Sequence, residues 1–147
     1  MTTVRSSGLT HVAMSVPLGT LTQEYRGRLL AFYGRLLGWR EMESLRLPDR
    51  MAISVGRSSY INLRERPDSV RNCGYEHFGV LFPSAETLRR LWDDLAAEEQ
   101  DVGLEPMIPN DRGEGSFRFR YLLPMAVEAQ FYAALSPDSS DGAVIAD

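Results

Sequence analysis

The sequence contains one short pattern twice, with a spacing of 66 residues. Each copy, residues 11–17 and 77–83, opens on one of the chain's two histidines, alternates in character and ends at a proline. Such alternation is typical of a β-strand. A strand that recurs at a fixed spacing predicts a duplicated module. If two modules pair about a pseudo-twofold axis, their equivalent histidines converge, and converging imidazoles are a common start for a metal site.

The segments that follow each histidine strand occur in the same order in both halves. After strand 9–16, Thr20 and Gln23 predict a helix start, Gly38 predicts its end, and residues 39–47, 50–55 and 59–64 read as strands. After strand 75–82, Ser84 is the expected N-cap of a second helix. Strands are then expected near residues 103–107, 116–123 and 127–133.

This order predicts an α+β protein of two tandem βαβββ modules that form an open mixed-sheet cup. The first module is expected over residues 9–66 and the second over residues 73–135. Residues 136–147 are mostly small and acidic, and are expected to form a flexible tail.

Composition excludes several kinds of partner. The net charge of −4 argues against nucleic acid, and no stretch approaches the roughly 20 apolar residues of a membrane span. The N-terminus lacks a secretory pattern, so a cytoplasmic location is expected. The single cysteine, Cys73, has no partner for a disulfide and is interpreted as an ordinary small residue.

One face of the predicted sheets is too polar to be a core. If each helix covers the bulky face of its sheet, the opposite face carries the polar residues of every strand. These residues are His11, Ser15, Ser54, Tyr60, Asn62, Arg64, His77, Arg118, Arg120, Glu128, Gln130 and Tyr132. A solvated face explains the arginines and Tyr132 taken singly, but two histidines at equivalent positions favour a site.

The sequence resembles the vicinal oxygen chelate superfamily, which includes glyoxalase I, fosfomycin-resistance enzymes, extradiol dioxygenases and bleomycin-resistance proteins. The resemblance lies in residues 9–16, 32–39 and 75–80, which read LTHVAMSV, FYGRLLGW and YEHFGV. It covers about residues 9–135. It implies paired βαβββ modules, a small-molecule ligand and, by analogy with other members, a homodimer.

The resemblance also implies a divalent metal held by the first and last strands of the modules. Carried over residue by residue, the family's ligand positions fall on His11, Asn62, His77 and Gln130. Within the repeat, residues 59–63 align with 127–131 at an offset of 68. Most metal-dependent members have glutamate where Gln130 stands, so glyoxalase I activity is not expected. Glu128 shares the face of Gln130, and a register change at the preceding turn would let it serve instead.

Three functions remain open at this point. In the first, His11 and His77 bind Zn, Mn, Fe or Ni with Gln130 or Glu128, and Glu128 and Tyr60 are the candidate catalytic groups. The candidate substrate-binding residues are Arg118, Arg120, Asn62 and Tyr132, which suit an anionic, oxygen-rich molecule. In the second, the protein sequesters a small molecule without metal. In the third, it is a structural or regulatory dimer.

Overall fold

The computed structural model describes residues 8–69, 74–109 and 115–133. The chain divides into two compact units, Met1–Arg71 and Asn72–Asp147, here called the first and second module. Cys73 and the predicted tail lie outside the described residues. Among those residues, no helix combines the length and the apolar character that a membrane crossing needs.

The first module runs β1 (His11–Val16), α1 (Gln23–Leu37), β2 (Arg40–Glu41), β3 (Arg50–Ser54) and β4 (Tyr60–Glu65). The strand order is β1-β4-β3-β2, with β1 parallel to β4 and the other pairs antiparallel. The Thr22 hydroxyl caps α1 by accepting from the Tyr25 amide, and Gly38 ends it with a φ of 69°. That left-handed conformation favours glycine.

The second module repeats this plan with β5 (His77–Leu81), α2 (Ala85–Ala96), β6 (Ile108–Pro109), β7 (Gly115–Phe119) and β8 (Ala126–Phe131). Its order is β5-β8-β7-β6, and β5 is parallel to β8. Ser84 caps α2 as predicted, in a reciprocal capping box with Thr87. The α+β class and the two tandem βαβββ modules with open mixed sheets are confirmed.

Each module buries the bulky face of its sheet, as the alternation predicts. The side chains of Met51, Ile53, Ile61 and Leu63 are fully or almost fully buried in the first module. Phe117, Phe119, Val127 and Ala129 are their counterparts in the second. Because strands alternate, the intervening side chains must lie on the opposite face, where a site can form.

Two predicted strands differ from the structure in length or position. The segment 39–47 forms only the two-residue β2 and then a 3₁₀ turn at Glu43–Leu45. The strand expected near residues 103–107 is instead the two-residue β6, which begins after them at Ile108. The cause in the first module is the buried Arg26, which is 4% exposed. Its guanidinium donates to Glu41 at 2.6 Å and to the carbonyls of Leu47 at 2.7 Å and Arg50 at 3.0 Å. These bonds hold the chain in a loop rather than an extended strand.

Candidate functional site: the polar sheet faces

His11 lies at the start of a polar row that crosses the first sheet. Direct strand pairing joins Arg40 to Ser54, Ser54 to Tyr60, and Tyr60 to His11. Residues paired in this way share a face, so all four side chains lie on the polar side of the sheet. The rings of His11 and Tyr60 stack with centroids 4.9 Å apart and an interplanar angle of 16°.

Asn62, the remaining candidate metal ligand of the first module, is hydrogen-bonded to a neighbouring side chain. Its amide oxygen accepts a hydrogen bond from Arg50 Nε at 3.0 Å. His11 is held through Nδ1, which lies 3.0 Å from the Thr10 hydroxyl, so its Nε2 is the nitrogen left for a further partner. The first module therefore supplies one candidate imidazole ligand, while Asn62 has a structural hydrogen bond.

His77, Glu128 and Gln130 lie together on the polar face of the second module. His77 Nε2 is 3.0 Å from Glu128 Oε2, and both side chains are 18% exposed. Gln130 Nε2 donates to the same Glu128 oxygen at 2.6 Å. His77 Nδ1 lies 2.6 Å from the Tyr75 carbonyl, an acceptor, so Nδ1 carries the proton in this contact.

This arrangement has the chemistry of half a metal site. Histidine ligands of metals usually donate one ring N–H to a carbonyl or carboxylate, which orients the other nitrogen toward the ion. The contact from His77 Nδ1 to Tyr75 has this form, and it directs Nε2 at the Glu128 carboxylate. An imidazole nitrogen with a carboxylate oxygen suits Zn, Mn, Fe or Ni. The described residues contain no group of three or more histidine, cysteine or carboxylate side chains placed to share an ion.

Strand register shows that β1, β3 and β4 of the first module repeat in β5, β7 and β8 of the second at an offset of 66. His11 pairs with Tyr60 where His77 pairs with Ala126, and Ala13 pairs with Asn62 where Gly79 pairs with Glu128. Glu128 is therefore the structural equivalent of Asn62, and Gln130 is the equivalent of Arg64. The sequence alignment at an offset of 68 was therefore wrong for the last strands. The alternation of polar and apolar residues could not reveal the error, because a shift of two residues leaves every side chain on the same face.

The two predicted anion-binding arginines of the second module have protein partners. Arg118 Nε donates to Glu105 Oε2 at 2.9 Å, and its guanidinium lies 5.6 Å from the centroid of the Tyr75 ring. Arg120 Nη1 lies 3.5 Å from the Pro124 carbonyl oxygen. Tyr132 follows β8 and is half-buried. Arg118 pairs in register with Glu128, so it lies beside His77 and Glu128. Its positive charge is balanced by the Glu105 carboxylate.

Three contributors to the polar faces were missed by the sequence analysis. Tyr75, which is 79% exposed, packs edge-on against the His77 ring at 5.1 Å. Glu105 carries the ion pair with Arg118. Arg40 lies in the same row as His11. No local sequence pattern identifies Arg40, since only its cross-strand pairing with Ser54 places it in this row.

Comparison with models of protein families and with curated protein sequences gives no match. Solved structures do match. The fosfomycin resistance protein FosX from Listeria monocytogenes, solved with Mn(II) and sulfate, is 18% identical, with 86% of this chain and 91% of that chain covered and a TM-score of 0.63. Lactoylglutathione lyase from Agrobacterium tumefaciens is 17% identical, with 86% and 95% covered and a TM-score of 0.62.

A glyoxylase/bleomycin resistance protein/dioxygenase domain from Frankia sp. EAN1pec is 21% identical, with 86% of this chain and 98% of that chain covered and a TM-score of 0.61. At these identities the likeness concerns the fold, because one fold hosts many activities. The fold expected from the resemblance is confirmed. The chain has the tandem βαβββ fold of the vicinal oxygen chelate superfamily.

Proposed function

We propose that the protein binds a small, oxygen-rich molecule through a divalent cation, and that His77 and Glu128 are ligands of that cation. The observation that carries this proposal is the 3.0 Å contact between His77 Nε2 and Glu128 Oε2, with Nδ1 held by the Tyr75 carbonyl. FosX, which shares the fold, was crystallised with Mn(II). When bound, such a cation polarises oxygen atoms of its ligand as a Lewis acid.

Gln130 has a different role in this proposal from the one in the sequence analysis. Its amide nitrogen donates to the Glu128 carboxylate at 2.6 Å, so it positions that carboxylate. Gly79 makes room for it, since a Cβ there would lie 3.2 Å from Gln130 Oε1. The involvement of His11 in the cation site stays a prediction, as do the catalytic roles of Glu128 and Tyr60 and the homodimer.

A metal-free binding protein is the second candidate function. The same contact favours it, because Glu128 and His77 satisfy each other directly and the described residues show no third histidine, cysteine or carboxylate beside them. In this version, the histidine and the carboxylate would hydrogen-bond a ligand directly. The two candidates differ in whether a cation binds tightly at Glu128.

The test is a calorimetric titration of Mn(II) and Zn(II) into the metal-depleted, untagged full chain. We expect Glu128→Gln and His77→Ala to weaken binding by more than the roughly 10–100-fold that outer-shell substitutions cost. Glu105→Gln is the matched control. It also removes one carboxylate from the second module, but that carboxylate pairs with Arg118 and not with His77. The metal proposal is wrong if the parent binds neither metal, or if Glu128→Gln and Glu105→Gln bind the metals with equal affinity. Either result favours the metal-free candidate.

A further inference from the structure

A cleft in the first module lies where α1 ends and β2 meets β3. Its volume is about 330 Å³, and residues 37–40 and 54–56 line it. This volume falls at the lower end of the range of about 300–1,000 Å³ typical of small-molecule sites. The cleft contains the outer end of the row that leads through Tyr60 to His11, since both Arg40 and Ser54 line it.

Arg40 is the charged group of this cleft, and its guanidinium makes no hydrogen bond or ion pair with any residue that the structure describes. Other arginines of this module are engaged: Arg26 with Glu41, Arg50 with Asn62, and Arg64 with Asp49. The backbone of Arg40 is nevertheless fixed, because it pairs with Ser54 across the sheet. An exposed guanidinium on this fixed backbone offers five N–H donors in a fork that matches a planar or tetrahedral oxyanion.

The charge balance around the cleft favours an anion. None of the lining residues is acidic, and the next residue after the cleft is another exposed arginine, Arg57. The C-terminus of α1 contributes about half a negative charge, which is smaller than the full charge of Arg40. Two of its carbonyls are also satisfied, because the Gly38 and Trp39 amides donate back to Gly34 and Tyr33.

We infer that this cleft is an oxyanion subsite that takes the carboxylate or phosphonate end of a small molecule. Arg40 donates two N–H groups to the anion. The Ser54 hydroxyl, now 3.3 Å from the Gly56 carbonyl in a long hydrogen bond, turns to donate a third. The remainder of the ligand extends along the row toward Tyr60 and His11, and the whole row spans three strand spacings, or about 14 Å. This inference goes beyond the proposed function, because it concerns the first module alone and requires no metal.

The test uses phenylphosphonate and benzoate as probes, with benzyl alcohol as their uncharged counterpart. Each is titrated into the full chain in the presence of a chelator, and the amide resonances of Gly38 and Gly56 are followed by NMR. Arg40→Gln removes the guanidinium. Arg66→Gln is the matched control, because Arg66 is an exposed arginine of the same module whose side chain pairs with Asp68 outside the cleft.

A second variant, Gly56→Leu, keeps Arg40 and adds a bulky side chain at a lining residue of the cleft. A Cβ at Gly56 meets nothing within 4 Å, and the backbone there does not have a positive φ, so the fold accommodates a larger side chain without strain. We expect the two anions to shift both amides in the parent, and Arg40→Gln and Gly56→Leu to weaken their binding by about tenfold or more. We expect no change in Arg66→Gln. Whether phenylphosphonate or benzoate binds more tightly identifies the anion that the subsite prefers.

The inference is overturned if neither anion binds the parent, if Arg40→Gln and Arg66→Gln bind equally, or if benzyl alcohol binds as tightly as the anions. Repeating the titration with Glu128→Gln separates this result from the metal proposal. Anion binding that persists in Glu128→Gln supports the subsite even where metal binding fails. Anion binding that disappears in Glu128→Gln places the probe at the second module and contradicts the inference.

Discussion

Replacing Arg26 with methionine should destabilise the first module strongly. Arg26 is 4% exposed and forms a 2.6 Å ion pair with Glu41, whose side chain is also 4% exposed. Its guanidinium also donates to the carbonyls of Leu47, Pro48 and Arg50. Methionine fills most of the arginine's volume but leaves the carboxylate and these carbonyls without their donor.

The size of the effect follows from the buried carboxylate. Removing one partner of a buried ion pair costs about 3–5 kcal/mol, because the other charge stays desolvated. Arg46 partly compensates here, since its Nη1 lies 3.4 Å from the other oxygen of Glu41 and is in contact with solvent. We therefore expect a loss near the lower end, about 3 kcal/mol, in the free energy of unfolding. The double variant Arg26→Met/Glu41→Leu should recover much of this loss, because no unpaired charge remains.

Urea unfolding followed by tryptophan fluorescence measures this loss in the correct module. The chain has two tryptophans, Trp39 in the first module and Trp92 in α2, so a Trp92→Phe background makes the fluorescence report on the first module alone. If Arg26→Met costs less than about 1 kcal/mol, the value for an exposed pair, the reasoning about burial is wrong. It is also wrong if the double variant is no more stable than the single one.

Three further predictions concern other residues. Gln130→Leu should lower Zn(II) affinity by about 10–100-fold in calorimetry, less than Glu128→Gln, because Gln130 acts only through the carboxylate; an equal or larger loss would make Gln130 the ligand. The Leu21 amide donates to Glu65 at 2.6 Å, and this and the Gly19 backbone lower the pKa of Glu65. That stabilisation is present above the ordinary pKa of 4.5 and is lost as the pH falls through the lowered value. In urea unfolding, Glu65→Gln should therefore be less stable than the parent at pH 7, and it should lose less stability than the parent as the pH is lowered. Burial raises the pKa of Tyr25 from 10.0 to about 12, so in ultraviolet titration the parent should show a phenol ionising near pH 12 that is absent from Tyr25→Phe.

The sequence predicted those features of the fold that depend on local periodicity. The alternation around His11 and His77 identified the duplicated strands and their polar faces, and the Ser84 cap located the start of α2. Residues 39–47 were misread as one strand because their course depends on Arg26, a residue in the preceding helix. Nothing in the local pattern of those residues shows that Glu41 will be buried in an ion pair.

The candidate site was predicted in composition but not in arrangement. The residues His77, Glu128 and Gln130 were identified, yet their roles depend on strand register, which period-two alternation leaves open by two residues. The paired strands settle the equivalence of Asn62 with Glu128. Arg40 was missed because a lone arginine beside a helix end has no pattern of its own, and only cross-strand pairing joins it to Tyr60 and His11.

The most direct test of the account is a crystal structure of the full chain grown with Zn(II), with anomalous scattering measured at the zinc edge. The account predicts zinc bonded to His77 Nε2 and to a Glu128 oxygen at about 2.0–2.2 Å, with Gln130 hydrogen-bonded to the carboxylate and not to the metal. Zinc bonded to Gln130 and not to Glu128, or zinc absent from His77, would contradict it.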